Sequence, residues 1–186
     1  MINSVQIEKY NYMLSKIAAP TLKFIKPASL ICLPKALKID NIRLKTRGLE
    51  ITLLYNGAQN QAVLIFNRSM LQEILKDSRS KDFLAKYYYP IQDDLDANLE
   101  YLKRRLQGFF QGKNEFAHEI GLFLGYPLDD VMDFIKKDKR HYFSGYWKVY
   151  NDPHRAIRIM SGYELAKAKV IKECLQGKKF FEIIKN

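Results

Sequence analysis

The chain has 186 residues, 47% of them hydrophobic and 13% aromatic, and a formal net charge of +11, a size that forms a core without staples. It contains no run of roughly 18 apolar residues to form a membrane-spanning helix, and the opening MINSVQIEKYNYMLSK lacks the basic-then-apolar order of a secretory leader. Cys32 and Cys174 lie far apart in sequence and are expected to be reduced, buried apolar residues in a cytoplasmic protein rather than a disulfide.

Residues 4–17 are predicted to form an opening helix capped by Ser4, with Ile7, Tyr10, Leu14 and Ile17 on one face and Pro20 as its stop. Leu30-Ile31-Cys32-Leu33 sits between Pro27 and Pro34 and has the length of a short buried or edge strand. Residues 49–55 and 62–66 flank a polar turn, a β-hairpin pattern in which Asn56-Gly57 can take positive φ. Short helices are expected over 69–76 and 81–88. Over 91–106, Ile91, Leu95, Leu99, Leu102 and Leu106 recur at spacings of three and four, predicting a long amphipathic helix. Its acids Asp93, Asp94 and Asp96 precede its bases Lys103, Arg104 and Arg105, which suits the helix dipole.

Two short helices are predicted within 115–136. The alternation in Gly145-Tyr146-Trp147-Lys148-Val149-Tyr150 predicts a strand, with Tyr146, Lys148 and Tyr150 on one face and Trp147 on the other. Asp152 and Pro153 open a final helix over 153–175, with Ala156, Ile159, Tyr163, Ala166, Val170 and Cys174 on one side. Gly177 interrupts it, and 177–186 form a basic amphipathic tail whose phenylalanines are expected to dock on the domain. The pattern is one α+β domain over 1–186, helix-dominated around a sheet of three or four strands.

The 115–136 hairpin has the spacing of a helix-turn-helix. Gly125 takes the turn, Gly121 the crossing, and Ile120, Leu124, Tyr126, Val131 and Phe134 the packing positions. Its charge is wrong for DNA. Between Asn114 and Ile135 stand Glu115, Glu119, Asp129, Asp130 and Asp133 with no Lys or Arg, and a polyanion repels such a surface. Asp129 and Asp130 are read as first-turn residues favoured by the helix dipole. Any nucleic-acid contact is placed instead on Lys136, Lys137, Lys139 and Arg140.

The block from Phe116 through His118-Glu119-Ile120-Gly121 and Gly125-Tyr126-Pro127 to Asp130-Val131, followed by Gly145-Tyr146-Trp147-Lys148-Val149-Tyr150, resembles a bacterial family known as domain of unknown function 3793. Ala19-Pro20-Thr21-Leu22 and Lys26-Pro27-Ala28-Ser29-Leu30 resemble the opening motif of that family. The resemblance implies a cytoplasmic protein and transfers no activity. Ala18, Ala117 and Ser144 stand where the family pattern has cysteine, proline and cysteine.

His118-Glu119 is the obvious catalytic pair, but Leu122 occupies the position where a zinc-protease motif needs its second histidine. The structural alternative puts His118 in the first helical turn, bonded to backbone. Neither GxxxxGK, GxGxxG nor a Gly-x-Ser-x-Gly elbow occurs. The adjacent acids Asp93/Asp94 and Asp129/Asp130 point about 100° apart on a helix and form no local dyad. No metal site is legible, and the cofactor is left open. The leading expectation is a module that binds a small anionic or aromatic ligand through Lys26, His118, Tyr126, Tyr146 and Lys148. Two alternatives remain: an enzyme using His118 as acid or base with Glu119 orienting it, and a nucleic-acid-binding or regulatory protein built on the helical hairpin.

Overall fold

The computed structural model describes residues 4–35, 48–90 and 94–185. These form two compact units, Met1–Arg68 with Gly162–Asn186, and Ser69–Ser161. The fold is α+β, with a three-stranded antiparallel sheet and a small two-stranded one.

The first unit holds α1 (Ser4–Leu22), β1 (Ala28–Pro34), β2 (Leu49–Asn56) and β3 (Asn60–Asn67). The strand order is β1-β3-β2. Ile31 pairs with Val63, and Ile51 with Ile65. The central strand β3 is buried from Gln61 onward, which is why its apolar run does not alternate. Gly57 does not use positive φ. The strands instead run on until Gly57 N–H donates to Asn60 O at 2.9 Å, and a bulge between Leu53 and Tyr55 absorbs the mismatch in register.

The opening helix departs from its predicted limits. It continues through Pro20 to Leu22, because a proline one turn from the end removes a single intrahelical bond. The freed turn is then closed by Ile25 N–H and Lys26 N–H donating to Pro20 O. Its buried side is also shifted. Ser15, Ala18, Ala19 and Leu22 are buried, whereas Ile17 is 41% exposed. Small side chains bring the helix close to the sheet, and the core joins Ala18, Ala19 and Leu22 to Ile31, Leu33, Val63 and Ile65. Thr21 and Ser29 share a buried hydroxyl–hydroxyl hydrogen bond of 2.9 Å in this layer. The side chains of Ile7 and Tyr10 lie outside the described residues. Both cysteines are free, but Cys32 is exposed on the outer side of β1, not buried as expected.

The second unit holds α2 (Arg68–Lys76) after its first residue, α3 (Ser78–Ala85), α4 (Leu95–Phe110), α5 (Ile120–Phe123), α6 (Leu128–Lys136) and the strands β4 (Phe143–Ser144) and β5 (Lys148–Val149). In α4, Leu95, Leu99, Leu102 and Leu106 are all buried. Asp94 caps it, accepting from Asp96 N–H at 2.9 Å and Ala97 N–H at 3.2 Å. Ile91 and Asp93 lie outside the described residues.

The last long helix, α7 (Pro153–Leu175), has the predicted limits and belongs to both units. Asp152 caps it through Arg155 N–H at 2.8 Å, and Ala156, Tyr163, Ala166 and Val170 are buried. Gly177, at φ 86°, separates it from α8 (Phe180–Lys185). Phe180 is buried in the first unit's core, as expected of the tail; the Phe181 side chain lies outside the described residues. Among the described residues, no helix is long and apolar enough to cross a membrane.

Candidate functional site

Glycines set the local path of the second unit's helical corner. Gly125 sits at φ 75°, a conformation other residues adopt at a cost. It turns the chain so that Tyr126 N–H donates back to Gly121 O at 3.0 Å. A methyl on Gly121 would lie 3.0 Å from Val131 Cγ2 and 3.3 Å from Tyr126. Only a bare backbone lets α5 and α6 come this close. Lys137, in the left-handed region at φ 58°, ends α6.

The segment read as one strand over 145–150 is instead the turn and second arm of a hairpin. Its arms are β4 and β5, and Gly145-Tyr146-Trp147 makes the turn, with Gly145 N–H donating to Trp147 O at 3.0 Å. The alternation was misleading because Trp147 is held by a side chain rather than by a strand ladder. That side chain is Asp130, which is 3% exposed. One carboxylate oxygen accepts Trp147 Nε1–H at 2.6 Å. The other accepts Tyr150 N–H at 2.9 Å, Asn151 N–H at 3.0 Å and the Asn151 amide at 3.0 Å. Asp130 is therefore more than a dipole-favoured surface acid: it ties α6 to the hairpin and to the start of α7. Asp133 extends the network, accepting from Asn151 at 3.0 Å and Lys139 at 2.8 Å. The hydrogen bond from Lys139 holds its carboxyl below the usual carboxylate range, against the opposing effect of burial.

These tethers frame a cavity of about 440 Å³. Ile120, Leu124 and Val131 line its helical side, with Gly121 between them. Phe116, Tyr126, Phe134 and Trp147 supply rings, and Ser144, Gly145 and Lys148 come from the hairpin. Tyr126 and Trp147 stack with centroids 5.4 Å apart at 27°. His118 stands edge-on between Phe116 and Phe134, 5.2 Å from each. Lys148 Nζ lies 5.5 Å over the Phe134 ring, a cation–π arrangement. Such a surface offers apolar contact nearly throughout, with few polar atoms to orient a guest.

His118, Tyr126 and Lys148, three of the five residues named from sequence, line this cavity. Tyr146 lies between two lining residues at the hairpin turn and is half-buried. Lys26 belongs to the first unit. It is 5% exposed rather than solvated, with Nζ 5.9 Å over the Tyr163 ring, and burial lowers its pKa to about 8. His118 precedes α5 rather than lying inside it. Burial first, then the nearby Lys137 charge, lowers its pKa, against the pull of Glu119 and Glu115. Burial likewise raises the Tyr126 hydroxyl pKa, so it stays a neutral donor.

Glu119 is fully buried and faces other partners. It accepts Arg105 Nε–H at 2.8 Å and the Tyr89 hydroxyl at 3.2 Å. Burial and the Glu119 charge drive the Tyr89 hydroxyl pKa up. The residues sequence reasoning missed are Phe116, Phe134, Ser144 and, above all, Asp130. A signal existed for two of them: Asp130 and Phe134 are one turn apart on α6, the spacing of a common face. Among the described residues, no group of three or more His, Cys, Asp or Glu is placed to hold a metal ion.

Fold and cavity together define an α+β protein whose helical corner and hairpin enclose an aromatic-walled space. The chain belongs to DUF3793, a family of proteins of unknown function, whose family model matches residues 14–184. No curated protein and no solved structure matches it.

Proposed function

We propose that this protein is a binding module for a small aromatic or anionic ligand, held in the cavity between the helical corner and the hairpin. The cavity itself carries the reading. Its volume, about 440 Å³, falls within the range of about 300–1,000 Å³ common for small-molecule sites. Its walls are apolar, and its polar groups are few and convergent. The test is a thermal-shift screen of aromatic and anionic fragments against the wild type and Ser144→Trp, a rim substitution that fills the space from an exposed position. Hits that stabilise the wild type and lose their effect in the variant are the expected result. A screen in which nothing stabilises the wild type overturns the reading.

The same cavity bears on the enzyme alternative. His118 lines it and is partly exposed, which puts an acid–base group at the cavity wall. Glu119, however, accepts from Arg105 and Tyr89 through Oε1, while its buried Oε2 has no hydrogen-bond partner among the described residues. It makes no hydrogen bond to His118, so an acid–base role for His118 needs an orienting contact this arrangement does not contain. The helix-turn-helix alternative gains little. Of the acids at the start of α6, Asp129 is paired with Arg79 and Asp130 is buried under four donors. A helix that opens this way offers no donors for base edges.

A further inference from the structure

We infer that the ligand of this cavity is an aromatic acid, a planar ring system carrying one anionic group, with the ring against the aromatic wall and the anion at Lys148. The inference rests on the binding-module reading and narrows it to one chemical class. Three observations support it.

First, the ring content is high for a space this size. Tyr126 and Trp147 present a stacked pair. Phe116, His118 and Phe134 present a second set in edge-to-face contact. Flat aromatic guests gain from both arrangements, since offset stacking and edge contacts each add to area burial. Second, the two charged side chains of the lining are held differently. Lys148 is the lining residue with a fixed positive charge. The carboxylate among the lining residues, Asp130, has both oxygens occupied by Trp147, Tyr150 and Asn151. Asp130 keeps its negative charge, but both its oxygens are turned to these donors, so the place for an anion is at Lys148. Third, Lys148 is exposed while its ammonium lies over Phe134. The cation thus stands beside an aromatic ring while remaining open to solvent. A guest that buries a ring and keeps its charged end near water matches that layout, and neither a simple anion nor a neutral hydrocarbon does.

The experiment compares naphthoate with its neutral amide and with acetate, by calorimetric titration of the intact protein and of Lys148→Gln. Lys148 is exposed, so the variant is expected to keep its far-ultraviolet dichroism. Naphthoate should bind the wild type about two- to fivefold more tightly than the amide, the range expected for a partly solvated ion pair added to ring burial. Lys148→Gln should erase that preference and leave amide affinity unchanged, and acetate should not compete. Equal binding of acid and amide overturns the inference and leaves the cavity reading standing. So does a preference for the acid that survives in Lys148→Gln, because the anion then lies elsewhere. Competition by acetate at concentrations similar to naphthoate makes the site a simple anion site and also overturns it. If neither naphthalene compound binds and the fragment screen is also empty, the cavity reading falls first and takes this inference with it.

Discussion

Asp130 shows how much one side chain can organise. Four donors converge on a carboxylate that is 3% exposed, and removing it leaves all of them without that acceptor. Asp130→Ala is expected to destabilise the protein by about 3 kcal/mol or more, since each buried donor left unsatisfied costs about 1–3 kcal/mol. Urea unfolding measures this directly, and a red shift of Trp147 emission should accompany it as the ring loosens. His118 gives a pH prediction whose sign follows from its lowered pKa. The unfolded chain takes up a proton near the ordinary histidine value of about 6.5, and the folded protein does so only at lower pH. The unfolded state then binds more protons, so the His118 contribution to stability is intact above that value and is lost as pH falls below it. His118→Gln should flatten the slope of stability against pH just below about 6.5; an unchanged slope removes His118 as its source. Lys137, Glu119 and Glu115 act on the same ring, so the variant must be compared at fixed ionic strength. The role of Asp130 was hard to read from sequence because adjacent acids at a helix start already have a sufficient local explanation. What distinguishes Asp130 from Asp129 is which of the two faces inward, and partners about twenty positions later in the chain decide that.

At the level of elements, periodic segments were legible and special ones were not. The leucine spacing of α4 and the capped start of α7 carried enough local information to fix existence, type and face. The hairpin at β4 and β5 misled because a period of two over six residues is also produced by a turn with a buried tryptophan. The face of α1 misled because alanines, not the larger Ile17, make its close approach to the sheet, and hydropathy weights size over fit. Two glycine substitutions test the element packing in opposite directions. Gly121→Ala places a methyl 3.0 Å from Val131 Cγ2, and the expected cost of overpacking is about 1–3 kcal/mol. Gly162 lies inside α7 without positive φ, and a methyl there meets only Ile25 Cδ1 at 3.9 Å. Gly162→Ala should therefore stabilise by about 0.5–1 kcal/mol through helix propensity and a less flexible unfolded chain. Thermal or urea unfolding of the pair checks both signs, and a destabilised Gly162→Ala would mean that the α7 backbone needs the glycine for another reason.

Over the whole molecule, the formal charge of +11 promises attraction to polyanions in general and says nothing about sequence. Titration against mixed duplex DNA is expected to show weak association that disappears at physiological salt. A saturable complex that survives salt would favour the nucleic-acid alternative, with the contact on Lys136, Lys137, Lys139 and Arg140. Fold class was readable from the order of patterns along the chain, but the cavity was not. Its walls come from residues 116–148, close enough in sequence to invite grouping, yet only tertiary closure shows that Phe116 and Phe134 face one space. Lys26 illustrates the converse. Its motif shares the family resemblance of the later blocks, while its surroundings are those of Tyr163 and the first unit. The indole fastened by its own nitrogen has a consequence for recognition. Because the Trp147 ring is tethered by Asp130, the proposed ligand would meet that ring already fixed, and little ordering of it would oppose association. Such a wall favours lock-and-key capture over moulding around the visitor. If that tether weakens, discrimination between guests of different outline should blur before affinity for flat molecules in general disappears.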